Sequence, residues 1–252
     1  MQLTETAMQN YQLLFANHSS RLDETDPEFL QLYANFTFGE ALTHGQLEMK
    51  TRLMVILAAL VARHALSEYR VMMNAALNVG VTPVEIKEIV YHSVPYAGSA
   101  FVFDFIHATN DILAERGFSP LQEGQSTTDQ QTRFDKGLAV QKAICGDEVI
   151  DQLYQNSPED QQHIQRYLSA NCFGDFYTRG GLDLQQRELM TFIIIASLGG
   201  CEPQLKAHIA ANANMGNDKK LLLAALTQIL PYIGYPRTLN AINCLNEVLP
   251  EK

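Results

Sequence analysis

The sequence predicts an all-α fold built from two tandem helical repeats, and three observations carry that expectation. Apolar residues recur at helical spacing between cap-like punctuation. Strand-type alternation rich in Val, Ile and Thr is essentially absent. Finally, glycines, prolines and an aromatic of the first half return in register in the second. Phe38-Gly39, Thr43, Gly45, Leu47 and Arg52 match Phe173-Gly174, Thr178, Gly180, Leu182 and Arg187 at a constant offset of 135, the separation of Phe38 and Phe173. After one inserted residue, Gly80, Pro95-Tyr96 and Gly98 match Gly216, Pro231-Tyr232 and Gly234 at an offset of 136. Register kept over this length reads as an internal duplication.

Taken in order, residues 1–26 form a lead-in, helical or partly ordered to residue 20 and broken by the acid-rich stretch 22–26. The first repeat spans 27–117. Pro27 opens its first helix as a first-turn proline, with Leu30, Tyr33, Ala34 and Phe38 at a spacing that buries one face. Residues 50–65 are apolar all round, the mark of a helix enclosed in a bundle, and 66–79 return as a second helix stopped at Gly80. Thr82-Pro83 supplies a cap and a first-turn proline for the next helix, and a last one follows the Pro95–Gly98 break over 100–116. Residues 118–131 are polar, lack an apolar period and form the linker. The second repeat spans 132–252, with short helices over 134–143 and 148–154, and Pro158 opening the next segment as Pro27 does.

Composition excludes several functions. A net charge of −10, with 18 Lys and Arg scattered among 28 acids, argues against nucleic acid, which needs a basic stripe. The longest apolar runs, 53–62 and 190–198, fall short of the roughly 18–20 residues of a membrane span. The start MQLTETAMQNYQLLF has neither a basic lead nor a continuous apolar core, so a cytoplasmic location is expected. Cys145, Cys172, Cys201 and Cys244 show no CxxC or zinc-type spacing, and the histidines form no metal motif. No metal or cofactor is expected.

The chemistry concentrates in residues 181–216, an expected helical hairpin carrying Glu188, Cys201 and His208. The earlier copy has Leu53 and Met72 where the later one has Glu188 and His208. Glu188, at the start of an apolar helix, reads as a first-turn acid or as a catalytic acid or base. His208 lies among small residues that leave room beside the imidazole. Cys201, before Glu202-Pro203, is a tight-turn residue or a reactive thiol near a helix N-terminus. Arg187, Arg179 and Arg237 are the nearest cations in sequence, candidates for holding a substrate carboxylate or for ordinary surface ion pairs. Tyr232 and Tyr235 are candidate pocket walls, Tyr232 reading equally as structural because Tyr96 repeats it. At about 1.5 Å per residue, Glu188 lies about 15 Å from the hairpin turn and His208 about 8 Å beyond Pro203, so their contact is expected to need a bend, a water or a neighbouring chain.

The string R-E-L at 187–189, the apolar helix, the Gly200-Cys201 turn, A-H-I-A-A-N-A at 207–213, Gly216 and P-Y-I-G-Y-P at 231–236 together resemble the carboxymuconolactone decarboxylase family, which includes AhpD-like alkylhydroperoxidases. The likeness is stronger over 173–249 than over 38–113. It implies an all-helical repeat that assembles into homo-oligomers, trimers when two repeats share a chain, and two chemistries. One is cofactor-free removal of CO2 from a small anionic lactone or related acid, with Glu188 and His208 as acid/base residues. The other is thiol-dependent reduction of a hydroperoxide by two cysteines, seven and four residues before the histidine. Those positions here are Cys201 and Gln204, so a peroxidase would need an external thiol to resolve Cys201. A third alternative is a non-catalytic oligomeric binding protein.

Overall fold

The computed structural model describes residues 2–15 and 20–250, and among them no strand occurs. The sequence reading of 1–20 crosses residues 16–19, which lie outside the described residues. The rest of the expected helices form within a few residues of their expected ends. Helix α1 (Glu5–Phe15) and the single turn α2 (Leu22–Thr25) lead into α3 (Pro27–Ala34), which carries its proline in the first turn and runs on as π-helical turns over Asn35–Glu40. α4 (Met49–Ala62) and α5 (Leu66–Asn78) make a hairpin. α6 (Pro83–His92) starts at a reciprocal capping box between Thr82 and Glu85. α7 (Val94–Ala97) and α8 (Ser99–Glu115) follow.

After the stretch that follows α8 come α9 (Arg133–Cys145) and α10 (Asp147–Gln155). Pro158 then precedes a 3-10 turn (Glu159–Gln161) instead of sitting in a helical first turn as Pro27 does, and α11 (Gln162–Tyr167) continues as π-helical turns over Leu168–Tyr177. α12 (Leu184–Leu198) and α13 (Glu202–Asn214) are the second repeat's hairpin, with α14 (Lys219–Ile233) and α15 (Tyr235–Val248) closing the chain. The stretch between α8 and α9 carries no helix. It is strapped to the second repeat by Gly180 N–H donating to the Gln125 carbonyl and by the Thr127 and Thr128 hydroxyls donating to the carbonyls of Thr178 and Gly174.

The repeats share one core. α4 is buried continuously from Arg52 to Ala62 and α12 from Arg187 to Ser197, and the two pack against each other at the centre. Helices without a polar face must be covered on every side, and each fully buried Leu or Ile returns about 1.5–3 kcal/mol. The cover crosses between repeats: α6 and α7 of the first pack on α12, and α14 of the second packs on α4. The lead-in takes part as well. α1 buries Ala7, Leu14 and Phe15, and Asn78 Nδ2 donates to the Leu14 carbonyl as Asn214 Nδ2 donates to that of Ile144. α1 thus stands to the first repeat as α9 stands to the second.

Each of these outer helices crosses a π-helical segment at small residues. A Cβ on Gly137 would lie 2.0 Å from the Ser169 carbonyl oxygen and 2.5 Å from the Gly174 nitrogen, both backbone atoms that cannot swing away. Gly137→Ala is therefore expected to destabilise the protein by about 2 kcal/mol or more in urea unfolding. Gly124→Ala, where an added Cβ meets nothing within 4 Å, should leave the midpoint unchanged.

Candidate active site

Glu188 is fully buried on α12, and its carboxylate Oε2 lies 2.9 Å from Nδ1 of His208 on α13. The contact is direct, correcting the expectation that a bend, a water or another chain would be needed. The residue level with Glu188 along the hairpin is Asn212, whose Nδ2 donates to the Glu188 carbonyl at 2.9 Å and to the His208 carbonyl at 2.7 Å. His208 sits one turn nearer the loop, about 6 Å along the axis, and the lengths of the two side chains span that turn. Asn217 Nδ2 in turn donates to Asn212 Oδ1 at 2.8 Å, which fixes the amide. A carboxylate only accepts, so Nδ1 of His208 carries the hydrogen and Nε2 is left for other chemistry. The His208 side chain is 17% exposed, the open edge of an otherwise buried pair.

The other carboxylate oxygen of Glu188 accepts from the Tyr177 hydroxyl at 2.7 Å. Around that hydroxyl lie Thr191 Oγ1 at 2.6 Å and the Tyr96 hydroxyl at 3.0 Å. Thr191 also approaches Tyr96 at 3.1 Å and Nε2 of His92 at 2.8 Å. The Tyr96 ring stands edge-on to the His208 imidazole at 6.2 Å, and Cys172 Sγ is 3.8 Å from the Tyr96 hydroxyl. Burial drives His92 well below its usual range, so this imidazole is neutral, and burial likewise raises the hydroxyls of Tyr96 and Tyr177, so both remain protonated.

Tyr96, His92, Tyr177, Thr191 and Cys172 were not identified from sequence. The available signal was the repeat itself, because Tyr96 is the counterpart of Tyr232. Tyr232 was expected at the site but lies at the first repeat's hairpin, its hydroxyl 3.8 Å from the sulfur of Met72, the residue that replaces His208 there. The reason is the cross-packing: α7 delivers Tyr96 to the second repeat and α14 delivers Tyr232 to the first. Tyr235 is 60% exposed on α15 and walls no part of the network.

A family model for the carboxymuconolactone decarboxylase family matches residues 27–111 and 162–247, one match in each repeat and together most of the chain. The chain belongs to that family. A 4-carboxymuconolactone decarboxylase of Acinetobacter baylyi is 26% identical over 121 residues, covering 48% of this chain and 90% of the relative. A nitrosuccinic acid decarboxylase of Metarhizium robertsii is 28% identical over 120 residues, covering 46% of this chain and 82% of the relative. Half of this chain therefore answers to nearly the whole of each relative. The crystal structure of a protein assigned as a gamma-carboxymuconolactone decarboxylase subunit, from Burkholderia xenovorans, superposes with a TM-score of 0.56 at 22% identity, over 94% of either chain. The all-helical architecture is thus the family's, and α1, α9 and α10 lie outside the family-matched segments.

In this family member the arginines expected to hold a substrate carboxylate are otherwise engaged. Arg179 grips Glu88 through Nε, 3.1 and 3.0 Å from the two carboxylate oxygens, and through Nη2 at 2.8 Å, with its guanidinium over the Tyr91 ring. Arg187 is fully buried; its Nη2 donates to Glu88 Oε2 at 3.0 Å and to the carbonyls of Arg179 and Gly180. Its counterpart Arg52 donates to the carbonyls of His44, Gly45 and Leu47 through Nη1, Nη2 and Nε, whereas Arg187 works through Nη2 alone and leaves Nε and Nη1 buried without a hydrogen-bond partner among the described residues. In both repeats the position ties down the loop before the central helix. Arg237 donates to the Leu198 carbonyl at 3.4 Å, at the end of α12 remote from Glu188. Sequence reasoning missed Glu88, which lies on α6 in the other repeat and carries no local sign of its partners.

Cys201 occupies the N-cap position of α13, and its Sγ faces the Gly199 carbonyl at 3.6 Å rather than the Glu188–His208 pair. The thiols of Cys172 and Cys145 are raised by burial and by the Glu188 charge to about 12 and about 11 respectively. Among the described residues no group of three or more potential metal ligands converges, and no helix is long and apolar enough to cross a membrane.

Two outcomes follow from this geometry. Glu88→Ala strands two guanidinium groups, one fully buried, and is expected to cost about 3–5 kcal/mol in denaturant unfolding. Iodoacetamide alkylation of the native protein, read by peptide mass mapping, should leave Cys172 and Cys145 nearly unmodified at pH 8. Both should become reactive as the pH rises towards 11, because only the thiolate attacks.

Proposed function

We propose that the protein is a cofactor-free decarboxylase of a small carboxylic acid with a carbonyl or similar electron sink next to the bond that breaks, such as an anionic lactone acid. The observation that carries this reading is the Glu188–His208 pair at 2.9 Å with its imidazole edge open to solvent. The named activities of the two relatives, both decarboxylases, support the reaction class.

The residues divide the work as follows. Glu188, held by Tyr177 and backed by the Asn212 amide, keeps Nδ1–H of His208 engaged and stabilises the imidazolium, so that Nε2–H points outward as a general acid. With the arginines engaged elsewhere, the imidazolium is also the positive charge that meets the substrate carboxylate. The carbon–carbon bond to the carboxylate breaks, CO2 departs, and the electron pair moves into the substrate carbonyl to form an enolate. Nε2–H of His208 delivers its proton to the carbon that lost CO2, and solvent restores it at the exposed edge. The Tyr96 ring stands edge-on to the imidazole, and Cys172 lies against the Tyr96 hydroxyl.

Thiol peroxidase chemistry has less support. Cys201 lacks the second cysteine, its sulfur faces a carbonyl, and the Cys145 and Cys172 thiols, both under the Glu188 charge, are held protonated at neutral pH. CO2 release from a panel of lactone acids and β-keto acids is the direct test. Glu188→Gln and His208→Ala are each expected to lower kcat by about 10²–10⁴-fold, with unfolding midpoints showing that the chain remains folded. Cys201→Ser should retain activity. Peroxide consumption with dithiothreitol that is lost in Cys201→Ser, with no CO2 release from any acid, would replace this reading by the peroxidase.

A further inference from the structure

The duplication leaves a second position equivalent to the active site, in the first repeat, and the described residues there enclose a cavity. A cavity of about 400 Å³ opens there, between α1, α3, α5 and the end of α14. Its lining residues map onto the active-site region by the repeat offsets. Ala65 stands for Cys201, Glu68 for Gln204, Tyr232 for Tyr96 and Phe38 for Phe173. The catalytic pair is absent, because Leu53 and Met72 occupy the places of Glu188 and His208. The space beside them has not closed.

We propose that this cavity is a second ligand site, which binds a neutral, largely apolar small molecule carrying one hydrogen-bond donor. Its volume falls at the lower end of the roughly 300–1,000 Å³ typical of small-molecule sites, and its character is theirs: an apolar wall with few polar groups. Tyr11, Phe29, Leu60 and Val71 supply that wall. Among the described lining residues the polar groups are Glu68, the hydroxyls of Tyr33, Tyr232 and Tyr11, and Ser20, whose Oγ already accepts from the Leu22 N–H. The Tyr33 hydroxyl donates to Glu68 Oε1 at 2.9 Å, and no described residue donates to the second carboxylate oxygen, which is left as an acceptor for a ligand. Tyr33 is held in a stack on Phe29 and edge-on to Phe38, so the acceptor is presented by a rigid partner. Burial raises the hydroxyls of Tyr33 and Tyr232, so both are donors or acceptors but never anions near neutrality. With one carboxylate and no Lys or Arg among the described lining residues, the cavity selects against anions. Its ligand is therefore chemically unlike the acid proposed for the Glu188–His208 site, and this inference does not depend on that function.

The probe is N-phenyl-1-naphthylamine, a neutral bicyclic amine with a single N–H whose emission rises in apolar surroundings. Titrated into the full chain, it should show a saturable rise with one site per chain. Val71→Trp, which fills the cavity from α5, should weaken binding by at least about tenfold. Glu68→Gln keeps the shape and replaces the charged acceptor with a neutral amide, and should weaken it about three- to tenfold. His208→Ala should bind as the unaltered chain does. Absence of a saturable rise, or a rise that survives both first-repeat substitutions and is lost in His208→Ala, would overturn the proposal. Should Val71→Trp fail to fold, Glu68→Gln decides between the same outcomes.

Discussion

Everything in this molecule depends on two central helices that have no polar face. α4 and α12 are buried along almost their whole length, so neither repeat can stand on its own half of the chain. Covering them requires helices on every side, and the cover is exchanged, α6 and α7 going to α12 and α14 going to α4. Exchange of this kind gives one core instead of two and makes each repeat's site a joint product. Glu188, His208, Tyr177 and Thr191 belong to the second repeat, and Tyr96, His92 and the loop-holding Glu88 come from the first.

The two equivalent sites differ as whole sets rather than residue by residue. Where the second repeat has Glu188, His208, Tyr177, Thr191, Asn212 and Asn217, the offsets place Leu53, Met72, Leu42, Ile56, Ala76 and Val81 in the first. All six of the latter are buried and apolar. A buried carboxylate is tolerable only with its partners present, and a partner left behind without the carboxylate is itself an unsatisfied polar group. Intermediate combinations are therefore costly, and the stable alternatives are the complete network or none of it. The same logic explains why Arg52 survives in the first repeat: it is satisfied by backbone carbonyls, which do not depend on side-chain identity.

Local features were readable because their causes are local. The first-turn prolines Pro27 and Pro83, the Thr82 cap, the glycines in left-handed turns such as Gly80 and Gly216, and the all-apolar helices act within a few residues, and they form where expected, whereas Pro158 stands just outside its turn. Glu188 and His208 were readable as a pair, since one hairpin carries both, but their separation was misjudged by comparing positions along the axes and leaving out side-chain reach. The arginines were misread because an arginine's role depends on which acid faces it. Glu88 is 99 residues before Arg187 and nothing near it in sequence announces the pairing.

Composition, periodicity and repeat register were enough to establish an all-helical duplicated chain whose chemistry sits in its second hairpin, because hydrophobic pattern and capping are properties of neighbouring residues. Which tyrosine serves which hairpin, which arginines are free, and which thiols lie under the Glu188 charge were decided only when the repeats packed across each other. Those facts depend on contacts between residues far apart in the chain, and a helix's own pattern records which face is buried without recording what covers it.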